Sequence, residues 1–114
     1  MNTSYFAKVK DNPNAVAITA YRPKWWKGRY CKELAPPWDM VEAYKMGKIT
    51  WIQYVWGYTQ NVLDRLDPQK IYDMLGQDAI ITCYESMQKP GDHCHRFIVA
   101  NWFNKELGIE VKEL

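Results

Sequence analysis

Cysteine is scarce in this chain, three in 114 residues, and an odd count does not make a disulfide framework. Excess charge of one sign is missing too. Fifteen Lys and Arg stand against 13 Asp and Glu, a formal net of +2, too little for the overall field to argue nucleic-acid binding. No apolar run approaches the ~18 residues that span a bilayer. The start, Met1-Asn2-Thr3-Ser4-Tyr5, has neither the basic stretch nor the apolar stretch of a secretory leader. These absences predict a cytoplasmic protein with reduced thiols and no membrane partner. No internal repeat, low-complexity tract or linker-like stretch divides the sequence, so residues 1–114 are expected to form a single domain.

Aromatic rings are abundant instead: 15% of the chain, with six Trp and eight Tyr. A small core uses large rings to bury area, and a ring-rich surface stacks planar ligands or bases. Composition alone is compatible with both. One local basic cluster stands out, Arg22, Lys24, Lys27, Arg29 and Lys32, interleaved with Trp25, Trp26 and Tyr30.

The pattern along the chain predicts an α/β fold. Tyr5–Val9 reads as a short strand and Asp11–Asn14 as a turn. Ala15–Ala20 is a continuous apolar run, the mark of a buried strand, stopped at Pro23. Residues 23–37 form a long aromatic and basic loop, and loops of that length are often functional. Trp38–Met46 has acidic residues early and Lys45 late, as a helix prefers. Thr50 with Gln53 fits a capping box, and Ile52, Val55, Thr59, Val62 and Leu66 then recur at helical spacing. Asp67-Pro68 is a cap followed by proline at the first helical position, with a short helix to Leu75. Asp78–Tyr84 is a second buried strand. Asp92 suits the cap of a helix over 93–107, and Ile109–Lys112 alternates like a last short strand. Strands separated by helical crossovers imply a three-layer domain with a small, mainly parallel sheet flanked by helices.

The chemistry-bearing residues cluster around the second buried strand: Cys83-Tyr84-Glu85, then His93-Cys94-His95-Arg96 before the last helix. In open parallel sheets, ligands bind at the carboxyl ends of the strands. At ~100° per residue, Arg96 shares a helix face with Ala100, Phe103 and Leu107. It therefore heads the buried stripe and needs a partner, and Glu85 is the expected one. The pair either braces a corner or floors an anion site, with Arg96 facing the ligand. Cys83 and Cys94 are small apolar fillers on one reading. On the other, Cys94 in the first helical turn, flanked by histidines and Arg96, is an activated thiol with His95 as base. His95 falls at the edge of the stripe, on the solvent side. Zinc accepts thiolate and imidazole, so Cys83, Cys94 and a histidine are a conceivable set. The spacing matches no paired C-x-x-C ribbon, however, and no metal ligands are assigned. If the strand 15–20 runs parallel to 78–84, Tyr21 and Arg22 emerge beside Glu85, and Trp25, Trp26 and Tyr30 lie over the crevice.

Nearly end to end, the sequence resembles the DUF488 family of small proteins. The resemblance rests on Arg22-Pro23, Tyr30 through Leu34-Ala35-Pro36, Trp38-Asp39, Ala43-Tyr44-Lys45, Gly47-Lys48-Ile49, Tyr54, and Val62 through Pro68. Most specific are Cys83-Tyr84-Glu85 and Cys94-His95-Arg96. Pro37 departs from the pattern, standing where a small hydroxyl residue is expected. The resemblance implies an α/β fold and a functional role for the Cys-Tyr-Glu and Cys-His-Arg groups. It brings no reaction, substrate or cofactor with it.

The resulting expectation is a crevice binding an anionic ligand, nucleotide-like or nucleic acid. Arg22, Arg96, Tyr21, Trp25, Trp26, Tyr30 and Cys83 would make the binding set, with Cys94, His95 and Glu85 as the reactive groups. A thiol- or metal-dependent enzyme, or a structural adaptor domain, is the competing expectation.

Overall fold

A computed structural model describes residues 1–84 and 93–114. Five strands form one sheet in the order β3-β2-β4-β1-β5, and every pairing is parallel. The strands are β1 (Asn2–Tyr5), β2 (Ala15–Ala17), β3 (Arg29–Tyr30), β4 (Ile80–Cys83) and β5 (Lys112–Glu113). The helices are α1 (Phe6–Val9), α2 (Trp38–Lys45), α3 (Trp51–Asn61), α4 (Pro68–Leu75) and α5 (Arg96–Leu107).

Alternation along the central strands divides the core. Val16, Ile18 and Ile81 pack with Tyr54, Tyr58, Ile71, Val99 and Phe103 from α3, α4 and α5. Ala15, Ala17 and Ile80 face the other way, onto Phe6, Val9 and Trp26. The three layers are thus filled unequally. One face carries long helices, and among the described residues the other is covered by a single helical turn and the Trp26 indole, with Tyr30 packed against them. The small side chains of Ala15 and Ala17 match that thin layer.

Several boundaries differ from the expected ones. The strand expected at Tyr5–Val9 lies earlier, at Asn2–Tyr5. Its partner β4 ends at Cys83, opposite Tyr5, so the chain has nothing left to pair with and coils, burying Phe6 and Val9. The loop 23–37 contains β3, which pairs with β2, and a 3-10 turn at Lys32–Leu34. The helix expected from Thr50 to about Leu66 stops at Asn61, where a 3-10 turn swings Leu63 into the core. The last strand is Lys112–Glu113 rather than Ile109–Lys112, because its ladder is set by Asn2 and Thr3 of β1.

The last helix begins at Arg96, not at residue 93, so Cys94 lies before the helix and not in its first turn. The expected turn at 89–92 and the Asp92 cap fall outside the described residues. Both expected capping motifs form. The Thr50 and Gln53 side chains bond reciprocally, and the Asp67 carboxylate accepts from the Gln69 and Lys70 N–H groups. Gly108 ends α5 at φ 67°, a left-handed turn that glycine takes without a Cβ clash.

The connection leaving β2 runs outward to the edge strand β3. The one leaving β4 crosses β1 to the other edge, β5. A crevice opens where neighbouring strands send their connections opposite ways, here at the carboxyl ends of β2 and β4. Among the described residues, no helix is long and apolar enough to cross a membrane.

Candidate functional site

At that crevice lies a cavity of about 160 Å³. Cys83, the last residue of β4, and Cys94 and His95, which return just before α5, line it together with aromatic walls. Tyr21 and Trp38 contribute one wall, with ring centroids 5.8 Å apart. Along α3, Trp51, Tyr54 and Tyr58 recur at spacings of three and four, which places them on one face. Trp51 and Tyr54 stack at 5.0 Å. His93 also stacks on Trp51, at 4.6 Å and 10°. Tyr58 closes the column against His95, edge to face at 5.5 Å. A continuous file of rings therefore leads from exposed His93 down to buried His95.

The thiols expected to stay reduced and separate do not: Cys83 and Cys94 are joined as a disulfide, and Cys31 is the free cysteine. An odd count gives no warning of one bridge, which here is formed by the strand end and the returning chain. Cys31 lies elsewhere in the core, its thiol pushed up to about 11 by burial and by the charge of Glu33.

His95 also differs from its expected solvent-side place. It is buried, and its Nε2 donates to the Ile18 carbonyl at 2.7 Å. A carbonyl only accepts, so the proton sits on Nε2 and Nδ1 carries a lone pair. Nδ1 lies 4.0 Å from Cys94 Sγ. Burial, assisted by the charge of Arg96, pulls the imidazole pKa down to about 4, against the bond to Ile18. His95 is therefore neutral at ordinary pH.

Arg96 is fully buried at the head of the α5 stripe, as its spacing indicates. Its Nε and Nη2 donate to the two oxygens of Glu113 at 3.0 and 2.9 Å. Glu113 in turn accepts from the Thr3 hydroxyl at 2.6 Å. Arg96 Nη1 donates to Cys83 Sγ at 3.3 Å, and the guanidinium lies over the Phe97 ring. Glu85, its expected partner, lies outside the described residues.

Of the expected site residues, the structure brings Cys83, Cys94, His95 and Tyr21 to the cavity. Arg96 sits behind Cys83 rather than in the lining. Arg22 is exposed, and its Nε and Nη2 donate to the carbonyls of Trp26 and Gly28. Trp26 is core, its indole N–H bonded to the Arg29 carbonyl. Trp25 packs on Phe6, and the Tyr30 hydroxyl donates to the Thr19 carbonyl. The rings that do form the walls, Trp38, Tyr44, Trp51 and Tyr54, carry no reactive group and drew no functional expectation. The aromatic spacing of Trp51, Tyr54 and Tyr58 was their one legible signal.

No curated protein and no solved structure matches the chain. A family model described as the active DUF488-N3 subclade matches residues 5–107. With nearly the whole sequence covered, the chain belongs to the DUF488 family.

Proposed function

We propose that the protein is an enzyme that takes a flat, single-ring ligand group, nucleobase-like in shape, into the ring-lined cavity and acts on it with Cys83, Cys94 and His95. The observation that carries this reading is the convergence of two sulfurs and a neutral imidazole on one ring-sized, ring-walled space. A cavity near 150 Å³ holds one six-membered ring, and stacking walls favour a planar one. Among the described residues the walls are mostly aromatic and apolar, with the Thr19 and tyrosine hydroxyls, Lys45, His93 and His95 as their polar groups. Among the described residues neither Arg22 nor Arg96 lines the cavity, and its stacking rings favour a planar group as the recognised feature.

Saturation-transfer NMR with free pyrimidine and purine bases, and with cyclohexanol as the non-planar control, tests this. Pyrimidines should bind, cyclohexanol should not, and Trp38→Ala and Trp51→Ala should each weaken binding by about 1–3 kcal/mol, the worth of one stacked ring. Equal binding by both variants and wild type would sink the reading.

A further inference from the structure

We propose that, once its disulfide is reduced, the Cys83–Cys94–His95 cluster is a zinc site whose fourth position faces the ring-lined cavity. The proposal deepens the reading of the cavity as the reactive site and rests on it for the metal's role, though not for the binding of the metal.

Three features of the geometry support it. All three side chains are buried, and their donor atoms lie within 4.8 Å of one another. Tetrahedral zinc, with Zn–S near 2.3 Å and Zn–N near 2.0 Å, holds its donors about 3.5–3.8 Å apart, within reach of small side-chain rotations. The Cα atoms of Cys83 and Cys94 stand 7.4 Å apart, wider than the ~4.4–6.8 Å usual across a disulfide. The backbone thus leaves room for an atom between the two sulfurs.

The surrounding hydrogen bonds also favour a metal. A ligating histidine ordinarily donates its other ring N–H to a carbonyl or carboxylate, which fixes the tautomer and aims the lone pair. His95 does this through Nε2 and Ile18, leaving Nδ1 turned toward Cys94. A thiolate ligand is steadied by a donor, and Arg96 Nη1 points at Cys83 Sγ while Glu113 holds the guanidinium in place. Two thiolates and one imidazole select zinc over magnesium or calcium, which prefer oxygen. Three protein ligands with an open fourth position are the pattern of a catalytic zinc, not a structural one. Here the open position would take water or a nitrogen or oxygen donor on the bound ring.

The disulfide and the zinc site exclude each other. A phosphine and one water supply the two electrons and two protons that convert the bridge to two thiols, leaving the phosphine oxide, and zinc then displaces the two thiol protons. Hydrogen peroxide reverses this: the two thiolates give up two electrons and form the S–S bond, one peroxide takes those electrons with two protons from solvent and becomes two waters, and the metal is released.

The test uses the full chain reduced with a phosphine and equilibrated with zinc, then freed of loose metal. Elemental analysis should find one zinc per chain, and cobalt in its place should show thiolate-to-metal charge transfer. Cys83→Ser, Cys94→Ser and His95→Ala should each lose the metal, while Cys31→Ser and His93→Ala keep it. If a ligand variant fails to fold, peroxide treatment of wild type should release the zinc from an intact chain. Reduced wild type that holds no zinc, or a Cys83→Ser/Cys94→Ser chain that holds as much as wild type, overturns the site. Zinc binding without pyrimidine binding upholds the metal site and overturns the ring reading. Pyrimidine binding by a chain that takes no zinc does the reverse.

Discussion

Arg96 presents the sharpest physical problem at the scale of single residues: a permanent charge with no exposed surface. Glu113 answers it from the far end of the chain, with both carboxylate oxygens on the guanidinium. Burial raises the Glu113 pKa, but hydrogen bonds from Arg96 and Thr3, with the charges of Arg96 and Lys8, outweigh it. The folded value therefore falls below the ordinary 4.5. A carboxyl whose pKa is lower folded than unfolded stabilises above the unfolded value, and that stabilisation is lost as pH falls through the folded value. The Glu113 contribution should accordingly hold level above pH 4.5 and be lost below it. It lies beneath an earlier decline in the melts that starts near pH 6.5, where the unfolded chain protonates its imidazole while buried His95 stays neutral down to about 4. Glu113→Gln should remove the part of the fall that lies below pH 4.5 and cost about 1.5–3 kcal/mol at neutral pH, the worth of a hydrogen bond to a charged group. An acid limb as steep in the variant as in wild type would remove Glu113 as its cause. The spacing of α5 made Arg96 legible as buried in the sequence. Nothing local pointed to Glu113, because its carboxylate reaches Arg96 only through the pairing of β5 with β1.

Among the elements, α3 and α4 show how much short-range chemistry suffices. Their starts are set by side chains two or three residues from the N–H groups they satisfy, so Thr50 and Asp67 were readable without a fold. Asp67→Ala should lower the unfolding free energy by about 1 kcal/mol in urea melts, and Asp67→Asn should restore most of it, since asparagine caps nearly as well. Loss of equal size in both variants would mean that charge rather than the cap bond matters. Ends were harder to read. The apolar spacing ran on past Asn61, yet the helix tightens there because burying Leu63 in the core outweighs one more regular turn. Likewise β1 and β5 lie a few residues from their expected positions, since a strand lasts only as long as its neighbour.

For the molecule as a whole, the unequal layers matter most. On the thin face, Trp26 packs on Phe6 with ring centroids 4.9 Å apart and beside Ala15 and Ala17, doing the covering that a helix would do elsewhere. Gly28 makes this feasible: a Cβ there would lie 2.6 Å from Trp26 Cζ2. Gly28→Ala should therefore displace the indole and cost about 1–3 kcal/mol, and Trp26→Ala should cost about 3–5 kcal/mol through the cavity it leaves. Both are measurable by chemical denaturation, and a neutral Gly28→Ala would show that the ring has room to move. Trp26, Gly28 and the Arg22 contacts thus cover this face of the sheet, whereas Trp38 and Tyr44 of α2 and Trp51 and Tyr54 of α3 line the cavity.

Composition and local pattern were enough to indicate an α/β fold with a mainly parallel sheet, two capped helices, a buried arginine and a gathering of cysteine and histidine near the end of β4. Each follows from contacts within a few residues or from periodicity, which a linear chain displays openly. Which groups meet across the sheet was another matter. Cys83 reaches Cys94 and His95, and Ile18 orients the imidazole. Glu113 closes on Arg96, and Trp38 and Trp51 wall the cavity. These meetings depend on strand order and register, a long-range outcome of packing that no stretch of sequence encodes alone.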